Sequence, residues 1–395
     1  MKILLITPRL PHASIAYGGG IFNRRLLEYL SQHHQVDVIS FFFEGEQAIV
    51  PEVASLCQNL FTVEDRQDRS LIEKVAKRVL APNHHWPFAP YNYSIELARL
   101  VQQIVMQEKY DIVQAEYTWM GQYIANLDHP ATVLDEVDLQ VLTYQQRYQK
   151  TLSILGRIFS YFEWKRMMRY EQKLSSRVKA VLVRTSYDQT YLQTLNPKAR
   201  VRVVSHGVSS LNLNLIRKET DHLRLIFMGD FSHPPNRDAI TYFVQEIFPR
   251  VRASLTEVKL QVLGRNAPQY LNNIEGVQVL GFVPSVTPYL QKAAIFISPI
   301  RWGSGIKTKN LDAMSLGLPV VTTTCGAAGI EAVDGESIMI ADQADVFAAK
   351  VIRLLNDAEL RQRIGLAGRQ VIREKYTWDA IFRDLERVYK ELNCN

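Results

Sequence analysis

Two doubly wound α/β domains in tandem are the fold class that this sequence predicts. Three observations point there. At 395 residues, the chain is longer than one ordinary core takes. Short, continuously apolar runs alternate with amphipathic helical stretches, the pattern of parallel sheets covered on both faces. The alternation breaks once, at a polar stretch that holds Gly207 and the pair Ser209 and Ser210.

The strands are expected in two series. The first comprises Lys2–Thr7, Val36–Phe41, Tyr110–Glu116, Ala131–Val137, Val178–Thr185 and Arg200–Ser205; the second comprises Leu223–Asp230, Lys259–Arg265, Val277–Phe282, Ala294–Ile300 and Leu318–Thr324. Helices lie between them, as the four-residue spacing of Phe22, Leu26 and Leu30 indicates. The expected organisation is a Rossmann-like domain over 1–205, a linker over 206–222 and a second Rossmann-like domain over 223–375. A final helix over 376–395 carries the apolar stripe Trp378, Ile381, Phe382, Leu385, Val388, Tyr389 and Leu392, and is expected to cross back to the first domain. Ligands of such sheets bind at the carboxyl ends of the strands, so two facing domains would form a cleft.

Composition bounds the function. With 47% hydrophobic and 22% charged residues, this is an ordinary globular composition. Cys57, Cys325 and Cys394 form no CxxC pair, which argues against a disulfide framework or zinc site and fits a reducing compartment. Nine dispersed histidines, including the adjacent His84 and His85, show no metal-ligand spacing, so no metal or other cofactor is expected. Ile3–Ile6 is too short for a signal-peptide core, no run approaches the length of a membrane span, and a cytoplasmic protein is expected. The net charge of +6 is uneven. Residues 147–177 hold eight lysines and arginines against Glu163 and Glu171, a local net of +6, interleaved with Leu155, Phe159, Phe162 and Trp164. Such a stretch fits an anionic membrane surface at the inner face. Packing of its apolar residues on the first domain is the competing reading. No nucleic-acid-binding motif is present, and nucleic acid is not an expected partner.

The chemistry concentrates in Pro299-Ile-Arg-Trp-Gly-Ser-Gly-Ile-Lys-Thr-Lys-Asn-Leu-Asp-Ala-Met-Ser-Leu-Gly-Leu-Pro-Val-Val. A strand end, the loop glycines Gly303 and Gly305, and a helix from about Lys307 to Leu316 follow one another; Gly317 and Pro319 stop the helix. A glycine loop opening a helix suits an anion, because the helix N-terminus presents free N–H groups and partial positive charge. Lys307 and Lys309 add full charges, and Asp312 lies about one turn on, where a carboxylate can accept from vicinal hydroxyls. A diphosphate is the obvious guest. Ile306 after Gly305 rules out an ATPase-type phosphate loop, and Gly18-Gly-Gly20 is not the dinucleotide fingerprint.

This stretch resembles the signature of the large retaining GT-B glycosyltransferase family often called family 4, also described as glycosyl transferases group 1. The resemblance continues in Phe227-Met-Gly-Asp, Pro235-Asn-Arg-Asp-Ala, Val262-Leu-Gly, Gly281-Phe-Val-Pro and Thr322-Thr-Thr-Cys-Gly-Ala-Ala-Gly-Ile-Glu331, covering residues 223–390. It implies transfer of a sugar, with retention, from a nucleoside diphosphate to a hydroxyl of a saccharide or lipid-linked acceptor in cell-surface polysaccharide or glycolipid synthesis. It implies donor contacts at Gly19, Gly20, Gly229, Arg237, Gly264, Val283, Gly303, Ser304, Gly305 and Asp312, and catalytic roles for Lys307, Lys309, Glu116 and Asp138. Asp312 stands where the family has its ribose-binding glutamate. Ser304 stands where many members carry a glutamate on the donor sugar. Asp230 and Asn236 stand where many carry the Arg and Lys that hold the diphosphate, and Val137 and His206 replace a family histidine and asparagine. These departures leave open a catalytically weakened sugar-nucleotide-binding or scaffold protein. An NAD-dependent enzyme and a sugar-nucleotide epimerase are more distant alternatives.

Overall fold

A computed structural model describes residues 1–14, 18–64, 93–215 and 221–393. His84, His85, Cys394 and positions 216–220 of the expected linker lie outside the described residues. The chain divides into two units, Met1–Val204 with Phe382 onward, and Ser205–Ile381.

The first unit is built on seven parallel strands: β1 (Lys2–Thr7), β2 (Gln35–Phe42), β3 (Asn59–Glu64), β4 (Ile112–Glu116), β5 (Thr132–Asp135), β6 (Ala180–Val183) and β7 (Val201–Val203). Their order is β3-β2-β1-β4-β5-β6-β7. Strand order therefore reverses direction between β1 and β4. Ile3–Ile6 are fully buried, which explains their unbroken apolarity: both faces of β1 are covered. Helix α1 (Gly18–His33) buries Phe22, Leu26 and Leu30 on one face. Helices α2 (Gln140–Lys150) and α3 (Ile154–Ser175) lie side by side after β5.

The second unit has six parallel strands: β8 (Arg224–Met228), β9 (Lys259–Leu263), β10 (Val277–Gly281), β11 (Ile295–Ser298), β12 (Val320–Thr322) and β13 (Met339–Ile340). The order is β10-β9-β8-β11-β12-β13, so its reversal falls between β8 and β11. Helix α4 (Pro234–Tyr242) follows β8, and α5 (Thr308–Ser315) follows the loop after β11. Gly317, at φ 72, ends α5 in the left-handed conformation.

Two strands escape the apolar-run reading. β3 is an edge strand with one buried residue, and β13 has only two residues. The segment after His206 is not wholly irregular, for Ser210–Asn214 forms a short helix capped by Ser209.

Helix α6 (Trp378–Asn393) belongs to both units. Its first turn lies with the second unit and residues from Phe382 with the first. There Phe382 meets Phe22 edge-on at 5.8 Å, Glu386 pairs with His34 at 2.5 Å, and the buried Tyr389 hydroxyl donates to Gln114 at 2.6 Å. Among the described residues no helix is long and apolar enough to cross a membrane, and no cluster of three or more metal-ligating side chains occurs.

Candidate active site

In an open parallel sheet the two strands flanking the reversal send their loops to opposite faces, leaving a crevice at their carboxyl ends. In the second unit these strands are β8 and β11. The loop after β8 holds Gly229, Asp230 and His233 and leads into α4 with Asn236; the loop after β11 runs from Pro299 to Lys307 and opens α5.

Lys309, on the first turn of α5, reaches across this crevice. Its Nζ donates to Asn236 Oδ1 at 2.5 Å and lies 4.8 Å from the Phe227 ring centroid. Asn236 is held in turn by its Nδ2, which donates to the Asp230 carbonyl at 2.8 Å. Burial, and secondarily the Lys307 ammonium, lower the Lys309 pKa to about 7. Asp312 follows one turn along α5. Its pKa is raised to about 7 by burial alone. Among the described residues its carboxylate accepts no hydrogen bond. The helix start is uncapped by any side chain; the Asn310 N–H turns back to the Lys307 carbonyl at 2.8 Å, and the N–H groups of Thr308 and Lys309, which have no intrahelical partner, face a ligand's approach. A desolvated cation, a desolvated unpartnered carboxylate and a helix N-terminus thus converge at one sheet edge, and this combination fits an anion bearing hydroxyls.

Lys307 behaves differently. Its Nζ donates to the carbonyls of Ser304 and Gly305 at 2.9 and 2.8 Å, and more weakly to Gly303 at 3.4 Å. It therefore ties down its own loop, in which Gly303 and Gly305 take φ values of 116° and 68°, open to glycine at little cost. The loop is also pinned to the segment just after β12, where Cys325 Sγ lies 3.8 Å from the Gly303 carbonyl and the Thr323 hydroxyl donates to Ile300 O. Asn310 anchors α5 through the Gly326 carbonyl at 2.8 Å.

The remaining expected donor residues are spread along the same edge. Gly229 donates its amide to Leu263 O at 3.0 Å, and Gly264 donates to Gly281 O at 2.7 Å. Val283, just beyond β10, packs partly buried on the adjoining core. Arg237 is exposed and turns back to the Phe231 carbonyl at 3.1 Å. Asp230 is occupied by Ser232 and Asn266, which hold its carboxyl below the usual range. His233 escaped the sequence reading. Partial burial, then Lys309 and Lys307, lower its pKa, which places its ring within the field of both cations. The available signal was its position at the start of α4, before Pro234 and Pro235.

In the first unit the two acidic residues differ in exposure. Glu116, at the end of β4, is 0% exposed. Gln114 Nε2 donates to its Oε1 at 2.7 Å. With the amide oriented to donate, Asn23 gives one N–H to Glu116 Oε2 at 2.9 Å and another to Gly19 O at 3.1 Å. Burial and the neighbouring Asp135 push the Glu116 carboxyl well up, while Arg184 pairs with Asp135 at 2.7 Å. Glu116 is thus enclosed by protein partners. Asp138 is exposed beyond β5.

The glycine loop of this unit has a steric function. Tyr117, next after Glu116, takes φ 71, a strained value for a bulky residue. Its ring stacks on Trp119 at 4.7 Å, and a Cβ on Gly19 would stand 1.9 Å from the Tyr117 hydroxyl oxygen. Gly20, the next residue of α1, is buried. Gly19→Ala is expected to destabilise by about 1–3 kcal/mol. Adding Tyr117→Phe, which removes the nearest atom, should recover part of that loss in a double-mutant cycle by denaturant titration. Strict additivity would show that the two residues do not meet.

Residues 222–357 match the family model described as glycosyl transferases group 1. A relative described as an uncharacterized 44.6 kDa protein in the cps region of Klebsiella pneumoniae is 22% identical over 97% of this chain and 98% of its own. Sucrose-phosphate synthase from Thermosynechococcus elongatus is similar in structure, with TM-score 0.73 and 17% identity over 99% of this chain and 98% of that one. Anabaena HepE, solved in complex with UDP-glucose, gives TM-score 0.66 and 12% identity over 99% and 100% of the two chains. The two parallel-sheet α/β units match those of GT-B glycosyltransferase structures.

Proposed function

From the group 1 glycosyltransferase match over 222–357 and the GT-B fold of the chain, we propose a retaining glycosyltransferase. It moves a sugar from a nucleoside diphosphate to a hydroxyl of a saccharide acceptor in cell-surface polysaccharide assembly. The cps-region relative supports the pathway, and the UDP-glucose complex of a structural neighbour supports the donor class.

One observation carries the donor assignment: Lys309 and Asp312 stand one turn apart on α5, both half-buried, at the reversal of the second sheet. In this reading the diphosphate rests against the α5 N-terminus and Lys309, and Asp312 accepts from the ribose hydroxyls. Lys309 supplies the cation that Asp230 and Asn236 do not. As the glycosidic bond lengthens, negative charge grows on the leaving diphosphate, and a preoriented ammonium in a partly dry site stabilises it. Lys307 acts indirectly by fixing the loop. Glu116 keeps the Gly19 loop in place through Asn23, and the first unit receives the acceptor. Retention follows the family resemblance.

A thermal-shift series with UDP-, GDP-, ADP- and dTDP-sugars tests this reading. Saturation at a hundred times Kd adds about 2.7 kcal/mol, or roughly 5–10 °C for a unit of this size. No stabilisation by any of the four would overturn it. The engagement of Lys307 with its own loop favours one second reading, a binding protein of the same fold. That protein would show the shift without donor hydrolysis or transfer.

A further inference from the structure

The exposed face of α3 changes chemistry along its length. One side of the helix is buried: Ser160, Glu163, Met167, Tyr170, Glu171 and Leu174. On the opposite side Ile154, Ile158 and Phe162 follow at four-residue spacing with Leu155 beside them. Leu155 is 79% exposed and Phe162 62%, and Leu152, just before the helix, is 98% exposed. Further along that same side, at the same spacing, stand Lys165, Arg166, Arg169 and Lys173. An aromatic ring marks the change: Tyr161 is 38% exposed, and Lys165 Nζ lies 5.7 Å from its ring centroid.

An amphipathic helix that lies flat on a bilayer keeps its cations along its whole polar border. Here the sorting on the exposed face is lengthwise; the one cation within the apolar part, Arg157, lies off that line and turns to the Tyr148 ring at 5.3 Å. From Ile154 to Phe162 the apolar part is about 12 Å long at 1.5 Å per residue, comparable with the ~5–10 Å to which interfacial helices sink. Lysine and arginine then fall at headgroup level, with Tyr161 at the boundary that such rings favour. We infer that the Leu152–Phe162 end of this helix inserts at a tilt into an anionic bilayer surface, with the Lys165–Lys173 stem on the lipid headgroups. Charge selects this occupant. Residues 147–177 carry a net +6, and a second copy of the chain would bring a second such segment against the first, whereas anionic lipid neutralises it.

The inference stands apart from the donor chemistry, and one set of proteins tests both. Full-length protein is sedimented with vesicles of phosphatidylcholine, alone or mixed with phosphatidylglycerol. Binding is expected only to the anionic vesicles and is expected to weaken with salt. Leu155→Glu/Phe162→Glu should reduce partitioning at least tenfold. Arg166→Gln/Arg169→Gln should reduce it about 25-fold, at roughly fivefold for each cation near the surface. All four side chains are exposed, so circular dichroism and melting temperature should not move, and the sugar-nucleotide shift should persist in every variant. Absence of capture at any phosphatidylglycerol content would overturn the inference. So would equal capture of variants and parent, or concentration-dependent self-association that Leu155→Glu/Phe162→Glu abolishes without any vesicle binding.

Discussion

Lys309→Met should cost about 10²–10³ in kcat, the usual effect of deleting one preorganised donor to a developing anion, while making the empty protein more stable. The two effects share a cause. Burial holds the Lys309 pKa at about 7, far below the ordinary value of about 10.4. The folded state therefore disfavours the ammonium. That cost is present in full below pH 7 and fades as pH rises toward 10, because over this window only the unfolded chain holds the proton. Methionine keeps the length and removes the charge. Near neutral pH its melting temperature should rise by roughly 2–4 °C per kcal/mol relieved, and the gain should shrink at pH 9–10. Scanning calorimetry across this range checks the sign. A variant that melts earlier than the parent at pH 7 would mean that Lys309 is a structural cation.

Asp312→Ala should remove most of the donor-induced stabilisation. Losing charge-assisted hydrogen bonds of about 1.5–3 kcal/mol weakens binding by roughly 10- to 100-fold. Asp312→Asn isolates the charge. The Asp312 carboxyl is raised to about 7 by burial, so its cost to the folded state is absent below pH 4, grows through pH 4–7 and is complete above. Asparagine should therefore stabilise the empty protein above pH 7 and leave it unchanged near pH 4. Together the two groups give donor affinity a maximum near neutrality. On the acid side Asp312 must lose a proton to accept fully from hydroxyls; on the alkaline side Lys309 must gain one. Affinity falls at up to tenfold per pH unit on each limb. Calorimetric titration should show both limbs in the parent, only the acid limb in Lys309→Met and only the alkaline limb in Asp312→Asn. A flat profile in the parent would remove both residues from the donor site.

The apolar runs of β1, β4, β8 and β11 marked a sheet covered on both faces, and so they also marked its carboxyl edge. The glycine loop and α5 were legible because Gly303, Gly305 and Gly317 punctuate them. Position along a strand does not reveal where a side chain points. Glu116 closes β4 as expected, yet Asn23 and Gln114 enclose it, and Tyr389, which holds Gln114, stands 275 residues away in sequence. Likewise Lys307 and Lys309 look equivalent in the sequence. Only the curl of the loop turns one ammonium onto backbone carbonyls and sends the other toward Asn236. The strand β3 leaves no apolar run in the sequence because its residues are mostly only partly covered.

Because α6 contributes Phe382, Glu386 and Tyr389 to the first unit, that unit is not complete when Val204 leaves the ribosome. The intervening residues take on the order of ten to forty seconds to synthesise at 5–20 residues per second. Throughout that interval the nascent first unit has its Phe22 surface uncovered and its Gln114 carbonyl without the tyrosine hydroxyl.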